Sequence, residues 1–143
     1  MTALELFSNL IKIDLSKFSN REIHLLEAEL FSRACNELRE IFRVQFKSYF
    51  SLMKFTAEKE NTMLETNFLR LVIKDILSTQ EYDLSGIAYY TDTPEDVLYE
   101  VFDGRNTNPS ATLLRRSIEL HRSVRRDLYQ EVINKIKMAL LTS

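Results

Sequence analysis

The chain reads as all-α, and three observations predict it. Both glycines, Gly86 and Gly104, and both prolines, Pro94 and Pro109, fall after residue 85, so the first 85 residues lack the strong backbone breakers. Apolar residues recur at steps of three and four over long stretches, the period of one helix face. Helix-start signals of Ser, Thr, Asp and Asn separate those stretches.

Residues 3–13 place Leu4, Phe7, Leu10 and Ile11 on one face and predict a short amphipathic helix. Ser16 to Asn20 is a polar break, in which Ser19 and Glu22 stand in capping-box spacing. A long helix follows, with Ile23, Leu26, Leu30, Ala34, Leu38 and Ile41 on its apolar face. Past residue 41 the stripe broadens to Phe42, Val44, Phe46, Tyr49, Phe50, Leu52, Met53 and Phe55. A helix that apolar is covered on more than one side. Phe42, Phe46, Tyr49 and Phe50 are therefore expected at an interface, a core within one chain by default, with a ligand pocket or the seam of a homodimer as the alternatives.

The polar run Thr56 to Thr62 is the expected break. The next helix spans 63–79, with Leu64, Phe68, Leu71, Val72, Ile76 and Leu77 inward. Asp83 is expected to cap a short helix running to about Thr91. Thr93 before Pro94 predicts a hydroxyl cap followed by proline at the first helical position, and Asn108 before Pro109 repeats the signal. Gly104 is expected to close the helix between them in a left-handed conformation. Leu113, Leu114, Ile118, Leu120, Leu128, Val132, Ile136 and Leu140 predict one long final helix, or two with a joint near Asp127. The pattern divides into a helical packing or dimerisation region, 1–60, and a helical domain, 61–143.

Composition narrows the function classes. The chain has 143 residues, 45 % hydrophobic and 28 % charged, with a net charge of -2, which suits a globular domain rather than a basic nucleic-acid binder. The charge is unevenly spread. Residues 83–110 hold one Arg against six acids, whereas residues 111–143 hold seven bases against three. The lone Cys35 cannot form an internal disulfide and fits a reducing, cytoplasmic setting. Neither a leader-like start nor an apolar run of membrane-spanning length is visible. His24 and His121 lack a second ligand at close helical spacing, Cys35 lies in an apolar stripe, and no glycine-rich phosphate loop exists. The expectation is a protein without enzymatic activity, cofactor or metal.

One stretch carries more information. DLSGIAYYTDTPEDVLYEVFDGRNTNPSATLL places Ala88 where two short helices would cross, Asp92 at the turn four residues later, apolar Leu98 and Val101 ten and thirteen residues after the alanine, and Gly104 sixteen after it. Pro109-Ser110 then precedes a further helix. Steeply crossing helices need a small contact residue and a turn of fixed length. This spacing resembles the Cro/cI (lambda-repressor-like) helix-turn-helix family, over roughly residues 63–123. The resemblance implies a repressor-like domain closed by a C-terminal helix, and a dimeric regulator of transcription that binds duplex DNA through its recognition helix.

The residues that would then face DNA are Pro94, Glu95, Asp96, Tyr99, Glu100 and Asp103, and four of the six are acids. Each acid would meet phosphates of its own sign, although one is tolerable as a reader of cytosine. DNA contact is therefore expected to lean on Tyr99 and on the cationic or polar Arg105, Asn106, Asn108, Arg115 and Arg116. Arg115, Arg122 and Arg126 share a face if the final helix is continuous through Arg126. The alternative makes the motif a protein-interaction module, its acidic helix (Glu95, Asp96, Glu100, Asp103) docking a basic partner.

Overall fold

A computed structural model describes residues 15–142, and side-chain environments from 16 to 139. The helix expected at 3–13 lies outside the described residues. Among those described, a 3-10 turn at Leu15–Lys17 and seven α-helices make up the regular structure, and there is no strand. The helices are α1 (Asn20–Gln45), α2 (Lys47–Leu52), α3 (Ala57–Ser78), α4 (Leu84–Thr91), α5 (Glu95–Phe102), α6 (Ala111–Val124) and α7 (Arg126–Thr142).

Local chemistry sets most of these limits. Ser19 and Glu22 form the expected reciprocal box: the Glu22 amide donates to Ser19 Oγ at 3.2 Å and the Ser19 amide to Glu22 Oε1 at 3.3 Å. Asp83 caps α4 by accepting from the Gly86 amide at 2.7 Å. Asp92 ends α4 at φ 52 and ψ 45, and Gly104 follows α5 at φ 86, a conformation glycine adopts without a Cβ penalty.

Three boundaries differ from the expectation, and a fourth resolves the choice left open for the final pattern. The break after the aromatic stretch is not at Thr56 to Thr62 but at Met53 to Phe55. There the Phe55 amide donates to the Phe50 carbonyl and the Lys54 amide to that of Ser51, with Lys54 left-handed at φ 54. The Phe50 and Phe55 rings meet at 5.9 Å, the apolar contact that accompanies such a helix stop. Thr56 then caps α3, so the polar run is its exposed first turn. At α5 the cap residue is Pro94 and makes no side-chain cap bond, because the Thr93 hydroxyl is spent on Thr91. At α6 the cap is Ser110, which accepts from Leu113, whereas Asn106 Oδ1 accepts from the Asn108 amide in a turn of its own. The final pattern is two helices, and the joint is Arg125 at φ -123 and ψ 57. The helical continuity that would align Arg126 with Arg115 and Arg122 is therefore interrupted.

The described residues form two compact units, the first of residues 15–40 and 127–142, the second Ile41–Arg126. In the first, Leu30, Ala34, Cys35 and Leu38 of α1 and Leu128, Tyr129, Val132, Ile133 and Ile136 of α7 are buried. Their spacing is the three-and-four step of helix faces. Lys135 lies 3.9 Å from Glu37. In the second unit, α3 packs on α5 and α6, and α4 packs on α5 and α6. Its core joins Leu64, Phe68, Leu69, Val72, Ile73 and Ile76 of α3 to Ile87, Ala88, Leu98, Val101, Leu113, Ile118 and Leu120. Among the described residues no helix is long and apolar enough to cross a membrane.

Candidate functional site

Two eight-residue helices, α4 and α5, are too short to be stable alone and depend on packing. Ile87 and Ala88 turn one side of α4 inward, and Leu98 and Val101 do the same for α5. The Thr91 hydroxyl is buried and donates to the Ile87 carbonyl at 2.8 Å. Between the helices, Asp92 reverses the chain, with the Thr93 amide donating to the Ala88 carbonyl at 2.9 Å. Two arginines fasten the helix ends. Arg116 Nη1 donates to the Thr91 carbonyl at 2.9 Å, and Arg70 Nε donates to the Phe102 carbonyl at 2.7 Å. A cation at a helix C-terminus also meets the negative end of the helix dipole.

What this scaffold presents outward is aromatic and acidic. Tyr89 is 91 % exposed and Tyr99 46 %. Asp92, Glu95, Asp96 and Asp103 are exposed and Glu100 is half-buried. An open groove of about 840 Å³ runs past Ala88, Tyr89, Asp92, Pro94 and Glu95. Glu95 and Asp96 sit in the first turn of α5, where acids are favourable to the helix itself.

The basic residues expected to meet DNA are distributed differently. Arg105 Nε binds Asp103 Oδ2 at 2.7 Å, and the Arg105 amide donates to Oδ1 at 3.0 Å. That backbone bond, together with the Arg105 guanidinium, holds the Asp103 carboxyl below the usual carboxylate range. Arg116 serves Thr91 and lies 3.8 Å from Asp92. Asn106 donates its amide to the Glu100 carbonyl and accepts from Asn108, which pins the loop. Arg115 is exposed and makes no ion pair among the described residues. Of the residues expected at an apolar interface, Phe42 and Phe50 are buried, Phe42 standing edge-on to Phe68 at 6.1 Å. Phe46 and Tyr49 remain 37 % and 45 % exposed.

One polar cluster has no local signature in the sequence. Asp75 on α3 lies 2.6 Å from Nε2 of the fully buried His121 on α6, and Arg125 Nη1 donates to both Asp75 oxygens at 2.8 Å. Burial pushes the Asp75 carboxyl up, but the His121 hydrogen bond and the His121 and Arg125 charges outweigh it and leave it below its ordinary value. An ionised carboxylate only accepts, so His121 Nε2 carries the proton. The partners are 46 and 50 residues apart, beyond any helical-spacing argument. The cluster ties α3 to α6 and to the α6–α7 joint. Among the described residues no group of three or more His, Cys, Asp or Glu stands together as metal ligands do.

No protein-family model, curated protein or solved structure matches this chain.

Proposed function

We propose that the chain is a small regulatory protein in which α4 and α5 act as a helix-turn-helix, and that their exposed face binds a basic protein partner. Support for the motif comes from the buried Ala88 at the helix contact, the left-handed Asp92, the inward Leu98 and Val101, and Gly104 at φ 86. The observation that carries the choice of partner is electrostatic. The outward face holds Tyr89, Asp92, Glu95, Asp96 and Tyr99, while the nearby Arg105 and Arg116 are turned onto Asp103, Thr91 and Asp92. A duplex would bring its phosphates against Glu95 and Asp96, which make no ion pair among the described residues. A basic segment with apolar side chains matches the acids, and the exposed tyrosines are the residue type that anchors protein interfaces.

A second reading, transcriptional regulation through duplex DNA, is favoured by Arg115, which is exposed and unengaged one residue from Arg116 at the start of α6. In it, Arg115 and the pinned loop Arg105 to Asn108 grip the backbone.

Fluorescence anisotropy separates the two. The probes are a labelled random-sequence DNA duplex and a labelled Lys/Arg-rich peptide containing Leu and Phe, each at low and moderate salt. We expect salt-sensitive peptide binding that the isosteric pair Glu95→Gln and Asp96→Asn weakens by about tenfold, each lost rim pair being modest and screened. No duplex binding is expected. Duplex binding abolished by Arg115→Ala, without peptide binding, overturns the proposal in favour of DNA.

A further inference from the structure

We infer that a pocket between α2 and α3 binds an apolar monocarboxylate, a short fatty or arylalkanoic acid; the inference goes beyond the partner reading and does not depend on it. The cavity is about 190 Å³. An apolar cavity of roughly 150 Å³ takes a benzene-sized molecule, so this one holds a single ring or a short alkyl chain. Phe46, Tyr49 and Phe50 wall one side, and Met63, Leu64 and Leu71 the other.

The polar lining states the ligand's charge. Asn67, Arg70 and Lys74 of α3 complete the pocket, and no carboxylate lines it. Arg70 and Lys74 stand four residues apart, on one helix face. The Asn67 side-chain amide is spent on the Met63 carbonyl at 2.9 Å. Arg70 Nε is spent on Phe102, and among the described residues its Nη groups make no hydrogen bond, although Nη1 lies beside Gly104 and the Arg70 charge also acts on the Asp103 carboxylate. Lys74 is exposed and makes no ion pair there. Two cations beside an apolar wall complement a carboxylate head on an apolar tail, the head taking charge-assisted bonds and the tail leaving water. Because Arg70 also holds the end of α5, an occupied pocket orders the residue that anchors that helix.

The test is titration of the full chain, by calorimetry and by methyl and aromatic NMR shifts, with octanoate, octylammonium and octanol. We expect octanoate to bind at least about tenfold tighter than octylammonium, as a lost charge-assisted bond implies. Lys74→Ala should weaken octanoate by about the same factor and leave octanol unchanged. Shifts should cluster at Phe46, Tyr49 and Met63. Met63→Trp should fill the cavity and abolish binding; because Lys74 is exposed, the Lys74 variant keeps the test valid even where Met63→Trp fails to fold. Equal affinity for octanoate and octylammonium, or no octanoate binding at millimolar concentration, overturns the inference. A dimer in sedimentation that Met63→Trp disrupts and octanoate does not displace also overturns it, making a second copy the occupant.

Discussion

At Asp75 a single carboxylate answers both a buried imidazole and a guanidinium. Removing its charge strands His121, which is 0 % exposed, so Asp75→Asn should cost about 2–3 kcal/mol, the range for losing charged hydrogen bonds. Its folded pKa lies below the ordinary value, so the stabilisation is fully present above the unfolded value and is lost as pH falls through the folded one. Urea unfolding of wild type and Asp75→Asn should therefore differ at pH 7 and converge as the pH is lowered below about 4. Ser117 makes the opposite case. Its hydroxyl is buried and has no hydrogen-bond partner among the described residues. Ser117→Ala should raise stability by about 1 kcal/mol, since it removes a desolvated polar group at little change in volume, and a lower urea midpoint would contradict this.

Helix ends show how elements of this size are stopped without glycine. α2, α3 and α4 all end at left-handed residues that are not glycine: Lys54 at φ 54, Gln80 at φ 64 and Asp92 at φ 52. Such a residue carries a Cβ cost of order 1 kcal/mol. Gln80→Gly relieves it at an exposed position and should raise the thermal midpoint by a few degrees, the equivalent of about 0.5–1 kcal/mol. At the opposite end of α3, the Thr56 hydroxyl accepts from the Lys59 amide at 3.2 Å. Thr56→Ala should cost about 1 kcal/mol, measured by the same unfolding curves. If it costs nothing, the aromatic stop at Phe50 and Phe55 is enough to set the α2–α3 boundary.

Over the whole molecule, the segregation of charge along the chain becomes contact within the second unit. The acidic segment 83–110 supplies Asp92 to Arg116, and its own Arg105 turns onto Asp103. Glu95 and Asp96, exposed and without an ion pair among the described residues, keep the α4–α5 face acidic. Leu52 and Val44 are 80 % and 70 % exposed. Leu52→Lys should leave the urea midpoint within about 0.5 kcal/mol of wild type, because an exposed side chain gives up little on unfolding. A larger loss would mean that Leu52 is covered in solution.

Fold class and most helix limits were legible from the chain alone, because they rest on interactions within a few residues. The three-and-four apolar step marks the buried faces of α1, α3 and α7. Ser19, Asp83, Asp92 and Gly104 act on backbone no more than three or four positions away. Thr93 misled because its hydroxyl is spent on Thr91, and Asn108 because the cap falls two residues later, on Ser110. The destinations of the long side chains were decided only by tertiary structure. Arg70 reaches 32 residues along the chain to Phe102, Arg116 reaches 25 to Thr91, and Asp75 gathers His121 and Arg125. A flexible cation ends wherever packing brings an acceptor, and no spacing rule encodes that. The same packing encloses Phe42 and Phe50 and leaves Phe46 and Tyr49 partly exposed.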